Sequence, residues 1–298
     1  MRKKRVITRR DFMKNTSLAV VGGTLLLSKK EPLLFQTGKK SKVVLVRNKE
    51  VLGDDGKPKP EIVLNMLDQG VTVLTGKPDA LQSWQTIIKP DDIVGIKSNV
   101  WRYIPTTTQV EGAIKKRVMD AGVEESNIGI DDRGVLRNPI FKRTTALINA
   151  RPMRSHHWSG VGSLIKNYIM FVPDPPSYHD DSCARLAIIW DNPLCKGKTR
   201  LNILVMLTPQ FHGVGPHNFN PRYVWKYFGF ILGFDPVAVD ATGLRIIQAK
   251  RKEYFGDDRP LSPPAKHIFT ADTRYHLGTS DPDKIELVKL GYSEGAFI

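Results

Sequence analysis

Short apolar runs alternate with helix-patterned segments along residues 43–251, and this alternation constrains the fold more than any other feature. Runs rich in β-branched residues at 43–46, 93–97, 128–131, 146–150, 201–207 and 228–234 read as buried strands. Between them, helical spacing starts at Pro60 (Ile62, Val63, Met66, Leu67) and at Asp79, and runs over 110–121 to a stop at Gly122. It returns over 161–171 and again over 236–251, where Pro236 suits a first helical turn. Strands that lack polar alternation are covered on both faces. The expectation is a single α/β domain over 43–298, with a mainly parallel or mixed sheet flanked by helices. Residues 134–145 and 208–222 are expected to be long loops.

The formal net charge of +15 is concentrated before that domain. Residues 1–42 hold twelve Lys/Arg against Asp11 and Glu31, which leaves a net of +5 for the remaining 256 residues. The basicity therefore does not mark a nucleic-acid surface, and no such partner is expected. Thr8-Arg9-Arg10-Asp11-Phe12-Met13-Lys14, followed by an apolar stretch over 17–27, resembles the twin-arginine export signal. The resemblance implies a signal segment at 1–28, a basic linker at 29–42, the twin-arginine machinery as partner, and a periplasmic or other extracytoplasmic location. No A-x-A site follows, so cleavage is open, and contact with a membrane is limited to this segment if it stays uncut. No later run reaches the roughly 18 residues of a membrane span.

Cys183 and Cys195 are the only cysteines. Two thiols are too few for an iron–sulfur cluster, so none is expected. A disulfide and two free buried thiols are both open.

Ligands of open parallel sheets bind beyond the carboxyl ends of the strands. Those ends carry Lys97-Ser98-Asn99, Asp131-Asp132-Arg133, and the polar segments 151–162 and 208–217. Five of the seven histidines (His156, His157, His179, His212 and His217) fall within 62 residues. Neutral imidazole binds metals and exchanges protons near neutral pH, so His156, His157, His179 and His212 are candidate metal ligands, although no H-E-x-x-H spacing is present. Gly160 and Gly162, ahead of a helix bearing Lys166 and Asn167, suit either an anion cradle or a tight turn. The phosphate-loop and dinucleotide patterns are both incomplete, and no G-x-S-x-G occurs. Lys97 and Lys166 stand among apolar residues. Burial there makes a base or nucleophile, whereas a snorkelling stem makes neither. Asp235 is a natural N-cap, and Asp240, one turn further, faces either a cation or a capping role.

In this order, Ile96-Lys97-Ser98-Asn99, Pro152-Met153-Arg154-Ser155-His156, Lys166-Asn167, His179, Gly213-Val214-Gly215-Pro216 and the segment 233–240 resemble the bacterial and archaeal family catalogued as domain of unknown function 362. The resemblance spans 43–292. It implies an α/β fold and no assigned reaction. This chain has Arg154 and Thr208 where the family usually has lysine and aspartate, and it lacks the cysteines of the family's frequent ferredoxin-like addition. A remoter likeness, to nickel-pincer lactate racemases, implies a metal-bound organic cofactor among His156, Lys166 and His179, with His157 or His212 adding. Arg154 or Lys97 would then hold a carboxylate. The functional expectation is an exported enzyme-like domain for a small anionic metabolite or metal-bound cofactor. Lys97, His156 and Lys166 are its acid–base candidates; Asn99, Arg154, Gly160, Gly162, Asn167, Asp235 and Asp240 are its binding residues. The alternative is a non-catalytic periplasmic binding or cofactor-delivery protein.

Overall fold

Among the described residues eight strands form one mixed sheet, ordered β3-β2-β4-β6-β7-β1-β8, with β5 added to β4. The strands are β1 (Ser41–Arg47), β2 (Val94–Lys97), β3 (Ile128–Asp131), β4 (Ala146–His156), β5 (Gly160–Gly162), β6 (Thr199–Gln210), β7 (Gly229–Gly233) and β8 (Ile285–Gly291). The computed structural model describes residues 40–213 and 219–298. The export segment, most of the linker, residues 214–216 and His217 lie outside the described residues. The domain begins slightly before the expected linker boundary at 42: β1 starts at Ser41, because Ser41 and Lys42 pair with Ile285 and Glu286 of β8. No helix among the described residues is long and apolar enough to cross a membrane.

The helices begin and end on local signals. Helix α1 (Pro60–Thr75) has Pro60 in its first turn and closes on Gly76 in the left-handed region. Asp79 caps α2 (Ala80–Ile87) by accepting from the Gln82 N–H. Helix α3 (Thr108–Asp120) follows β2, and the short α4 (Pro139–Arg143) lies within the expected loop 134–145. The longest helix, α6 (Pro236–Phe255), follows the one-turn α5 (Leu164–Asn167). Helix α7 (Lys266–Thr273) and strand β8 have no counterpart in the sequence reading.

Alternate strand residues fill two cores. Val44, Val46, Ile96, Ile148, Ile203 and Val205 pack against α1, α2 and α3. Val43, Leu45, Leu147, Leu204 and Met206 pack against α5, α6 and α7 on the other face. This double coverage is why β6 reads as an unbroken apolar run. Within the seven-strand path β7 runs against its neighbours, antiparallel to both β6 and β1, and the added β5 is antiparallel to β4.

The 146–162 region departs most from expectation. Strand β4 continues past Ala150 to His156, with a register shift between Pro152 and Arg154 where proline cannot donate to the ladder. Residues 160–162 are not the start of a helix: they turn back and pair with Arg154–His156. What remains of the expected 161–171 helix is α5 and a 3-10 turn over Tyr168–Phe171.

Candidate functional site

The chain changes direction across the sheet between β2 and β4. From β2 it crosses by α3 to β3 on one side. From β3 it crosses by α4 to β4 on the other, and the two helices contribute to opposite cores. Such a switch point leaves a crevice at the carboxyl ends of the strands. A cavity of about 240 Å³ opens there, lined by Asn99, Asp132, Arg151, Arg154, His156 and Lys166 among others.

A polar network crosses the sheet beneath it. Asn202 of β6 accepts from Asn149 of β4 at 3.3 Å, Asn149 accepts from Asn167 at 2.8 Å, and Asn167 also donates to the Lys97 carbonyl at 3.2 Å. The Lys97 ammonium, fully buried, donates to Asp132 at 2.5 Å and to the Ser98 carbonyl at 2.7 Å. Burial pushes the Lys97 pKa down to about 8, against the pull of Asp132. Burial opposes the Asp132 charge too, but the Lys97 ammonium and the Val100 N–H hold that carboxyl below its usual value. Lys97 is thus a paired structural cation under the site; it does not line the cavity.

Three further cations face the hollow without such a partner. Arg151, Arg154 and Lys166 are only 3, 5 and 3% exposed, yet no carboxylate of the described residues lies within 4 Å of any of them. Arg154 rests over the Trp101 ring at 4.2 Å and donates to Asn99 at 3.2 Å. The Arg151 Nε is buried without an acceptor. Among the described residues Lys166 donates only to the Cys183 sulfur, a weak acceptor, at 3.5 Å. Burial lowers Arg151 to about 10, opposed by the more distant Asp132 and Asp240, and lowers Lys166 to about 8, where the nearby guanidiniums act in the same direction. Arg154 is lowered as well, by burial and by Arg151.

Asp240 positions Lys166 from behind. Its carboxylate accepts from Ser163 Oγ at 2.7 Å and from the Leu164 and Ile165 N–H groups at 2.9 Å. The anion drawn to the start of α5 is therefore the protein's own. Burial raises the Asp240 pKa to about 6, so it stays charged at neutral pH. Cys183 is brought to Lys166 by three successive residues in the left-handed region, Asp181, Ser182 and Cys183, with φ of 46°, 54° and 62°. Burial raises its thiol pKa against the pull of Lys166, and the sulfur only partly offsets the lowering of the Lys166 pKa.

His156 and His179 line the same cavity, and both are held neutral by burial with Lys166 adding, His179 at about 4. His156 stacks on His157 at 4.8 Å; Trp158 packs on His157 and on His179 at 4.1 and 4.0 Å. These rings form an aromatic ladder, not a ligand set. His212 lies elsewhere, bonded to Arg251 at 2.9 Å and packed on Tyr223 and Phe255. Among the described residues no three His, Cys, Asp or Glu side chains converge as a metal site. The set His156, His157, His179 and His212 is therefore not assembled.

Asp235 and the two glycines also leave the expected site. Because β7 runs the other way, Asp235 lies beyond the opposite ends of the strands, where it caps α6 and accepts from Ser41 and Thr279. Gly160, at φ 71°, lets the 263–265 backbone approach, since a Cβ there would lie 2.7 Å from the Ala265 nitrogen and the Pro263 carbonyl oxygen. Gly162 leaves room for the Arg151 guanidinium. Neither cradles an anion at a helix start. Cys183 and Cys195 are both free and buried.

Asn99, Arg154, His156, Lys166, Asn167 and His179 thus meet as expected. Arg151, Asp132, Trp101 and Cys183 join them unforeseen. A charged residue at the end of an apolar strand was a usable signal for Asp132 and Arg151. Cys183 had no local signal. Compared with models of known protein families, with curated proteins and with solved structures, the chain matches none.

Proposed function

We propose that the cavity binds a small anionic metabolite, with Arg151 and Arg154 as the anion clamp and Lys166 and His156 as proton-exchanging groups. One observation carries this reading: among the described residues, three buried cations share a hollow whose one lining carboxylate, Asp132, is paired with Lys97 and forms an ion pair with none of them. Unpaired buried charge is expensive, and a bound anion offsets it by charge-assisted hydrogen bonds. A neutral His156 beside an amine whose pKa is near 8 provides an acceptor and a donor at neutral pH. The cavity is below the volume usual for drug-sized ligands, which favours a compact acid. The twin-arginine resemblance of residues 8–14 supports an exported protein, and the family resemblance supports no particular reaction.

The test is thermal unfolding of the full chain in buffer free of oxyanions, titrated with phosphate, sulfate, malonate and pyruvate at constant ionic strength. At about a hundredfold excess over Kd, a ligand specific for the folded state adds about 2.7 kcal/mol. Stabilisation by one of these acids that disappears in the Arg151→Gln/Arg154→Gln variant is expected. Equal stabilisation of that variant would sink the proposal.

A further inference from the structure

We infer that Lys166 is a nucleophile that forms an imine with a 2-oxo acid held by Arg151 and Arg154. The inference rests on the anion-binding reading above and deepens it.

The geometry separates this lysine from its neighbour. Lys97 is saturated by Asp132, the Ser98 carbonyl and Asn167, the last at 3.4 Å, so its nitrogen has no lone pair to offer. Lys166 lines the cavity, is nearly fully buried, and has among the described residues one weak acceptor, the Cys183 sulfur. An amine so placed is readily deprotonated, and general chemistry makes a buried, weakly solvated lysine near other cations a carbonyl nucleophile. The guanidinium fork matches a carboxylate in its own plane. An acid seated on Arg151 and Arg154 carries its 2-oxo carbon one bond from the clamped carboxylate, inside the cavity that Lys166 also lines. His156 and His179, both neutral, face the same space and can pass the protons.

The step balances without a further reactant. The neutral Lys166 nitrogen adds to the 2-oxo carbon, forming a C–N bond as the C=O π pair moves to oxygen. The nitrogen, cationic after addition, passes one of its protons through a neutral imidazole to that oxygen, giving the neutral carbinolamine. A second proton, drawn from solvent through the same imidazoles, lets the oxygen leave as water while the nitrogen lone pair closes the C=N bond and the nitrogen keeps its last hydrogen. The carbanion-stabilising iminium so formed equips the site for proton exchange or C–C chemistry at the adjacent carbon.

The experiment is reductive trapping. The full chain is incubated with pyruvate and sodium borohydride, and peptides are mapped by mass spectrometry. The expected product is a secondary amine at Lys166, heavier than the free lysine by the mass of pyruvic acid less one oxygen atom. Lys166→Arg, which keeps the charge but cannot form an imine, should lose the adduct and retain pyruvate-dependent thermal stabilisation. Arg154→Gln should need a higher pyruvate concentration for equal trapping. Pyruvate-dependent stabilisation with no adduct at Lys166, or adducts spread over surface lysines, overturns the inference and leaves the anion site standing. Absence of both adduct and stabilisation by any of the four acids overturns both.

Discussion

Replacing Lys166 with methionine should stabilise the protein, and the gain should depend on pH. The side chains are similar in length, so the main change is loss of a buried ammonium that has only a sulfur to donate to. Burial and the nearby guanidiniums of Arg151 and Arg154 lower the Lys166 pKa from 10.5 to about 8, with Cys183 opposing. At about 1.4 kcal/mol per pKa unit, keeping that proton in the folded state costs about 3 kcal/mol at pH 7. Between pH 8 and 10.5 the unfolded chain holds the proton and the folded chain does not. The wild type therefore gains stability as pH rises through this window. The methionine side chain has nothing to titrate. The advantage of Lys166→Met should be largest at pH 7 and about 3 kcal/mol smaller near pH 10.5, with any packing difference common to both. Lys97 titrates alike in the two proteins and cancels. Urea unfolding of both proteins at the two pH values, in buffer free of oxyanions, measures the difference. An advantage that does not change with pH would refute the buried, unpaired ammonium.

Two other substitutions probe the frame. Asp132→Asn leaves the fully buried Lys97 without its carboxylate at 2.5 Å; a loss of about 3–5 kcal/mol is expected in urea unfolding at pH 7, and a loss below about 1 kcal/mol would show the ammonium is satisfied without it. Gly160→Ala places a Cβ 2.7 Å from backbone atoms at a φ of 71°; neither can yield cheaply, so about 2–3 kcal/mol should be lost, and an unchanged melting temperature would count against the close 263–265 approach.

The strands and helices that could be read from the sequence are those whose apolar residues face a core. The 43–46, 93–97, 128–131, 201–207 and 228–234 runs all became strands within a residue or a few of their expected ends. Strand β8 escaped because it is an edge strand with its residues only partly buried, so its pattern is diluted by Glu286 and Lys289. The extension of β4 escaped for the opposite reason. Its residues from Arg151 to Ser155 are buried yet mostly polar, and only neighbours distant in sequence show how that is tolerated. Positions just beyond expected strand ends pointed to Asn99 and His156, and apolar surroundings pointed to Lys166. No spacing could tell that Lys97 would be paired and Lys166 not, because the deciding partners, Asp132 and Cys183, come from other loops. The metal set failed similarly: clustering along the chain put His212 beside the others, and the fold bonded it to Arg251 instead.

The left-handed run from Asp181 to Cys183 sets durability against reactivity. Non-glycine residues in that conformation cost roughly 1–2 kcal/mol each, and here they are held down by α7, where Lys266 pairs with Asp181 at 2.7 Å and Thr270 donates to the Ala184 carbonyl at 2.6 Å. A glycine at Asp181 or Ser182 would relieve part of that strain. It would also slacken the tether that keeps a thiol, in place of an oxygen, next to the amine.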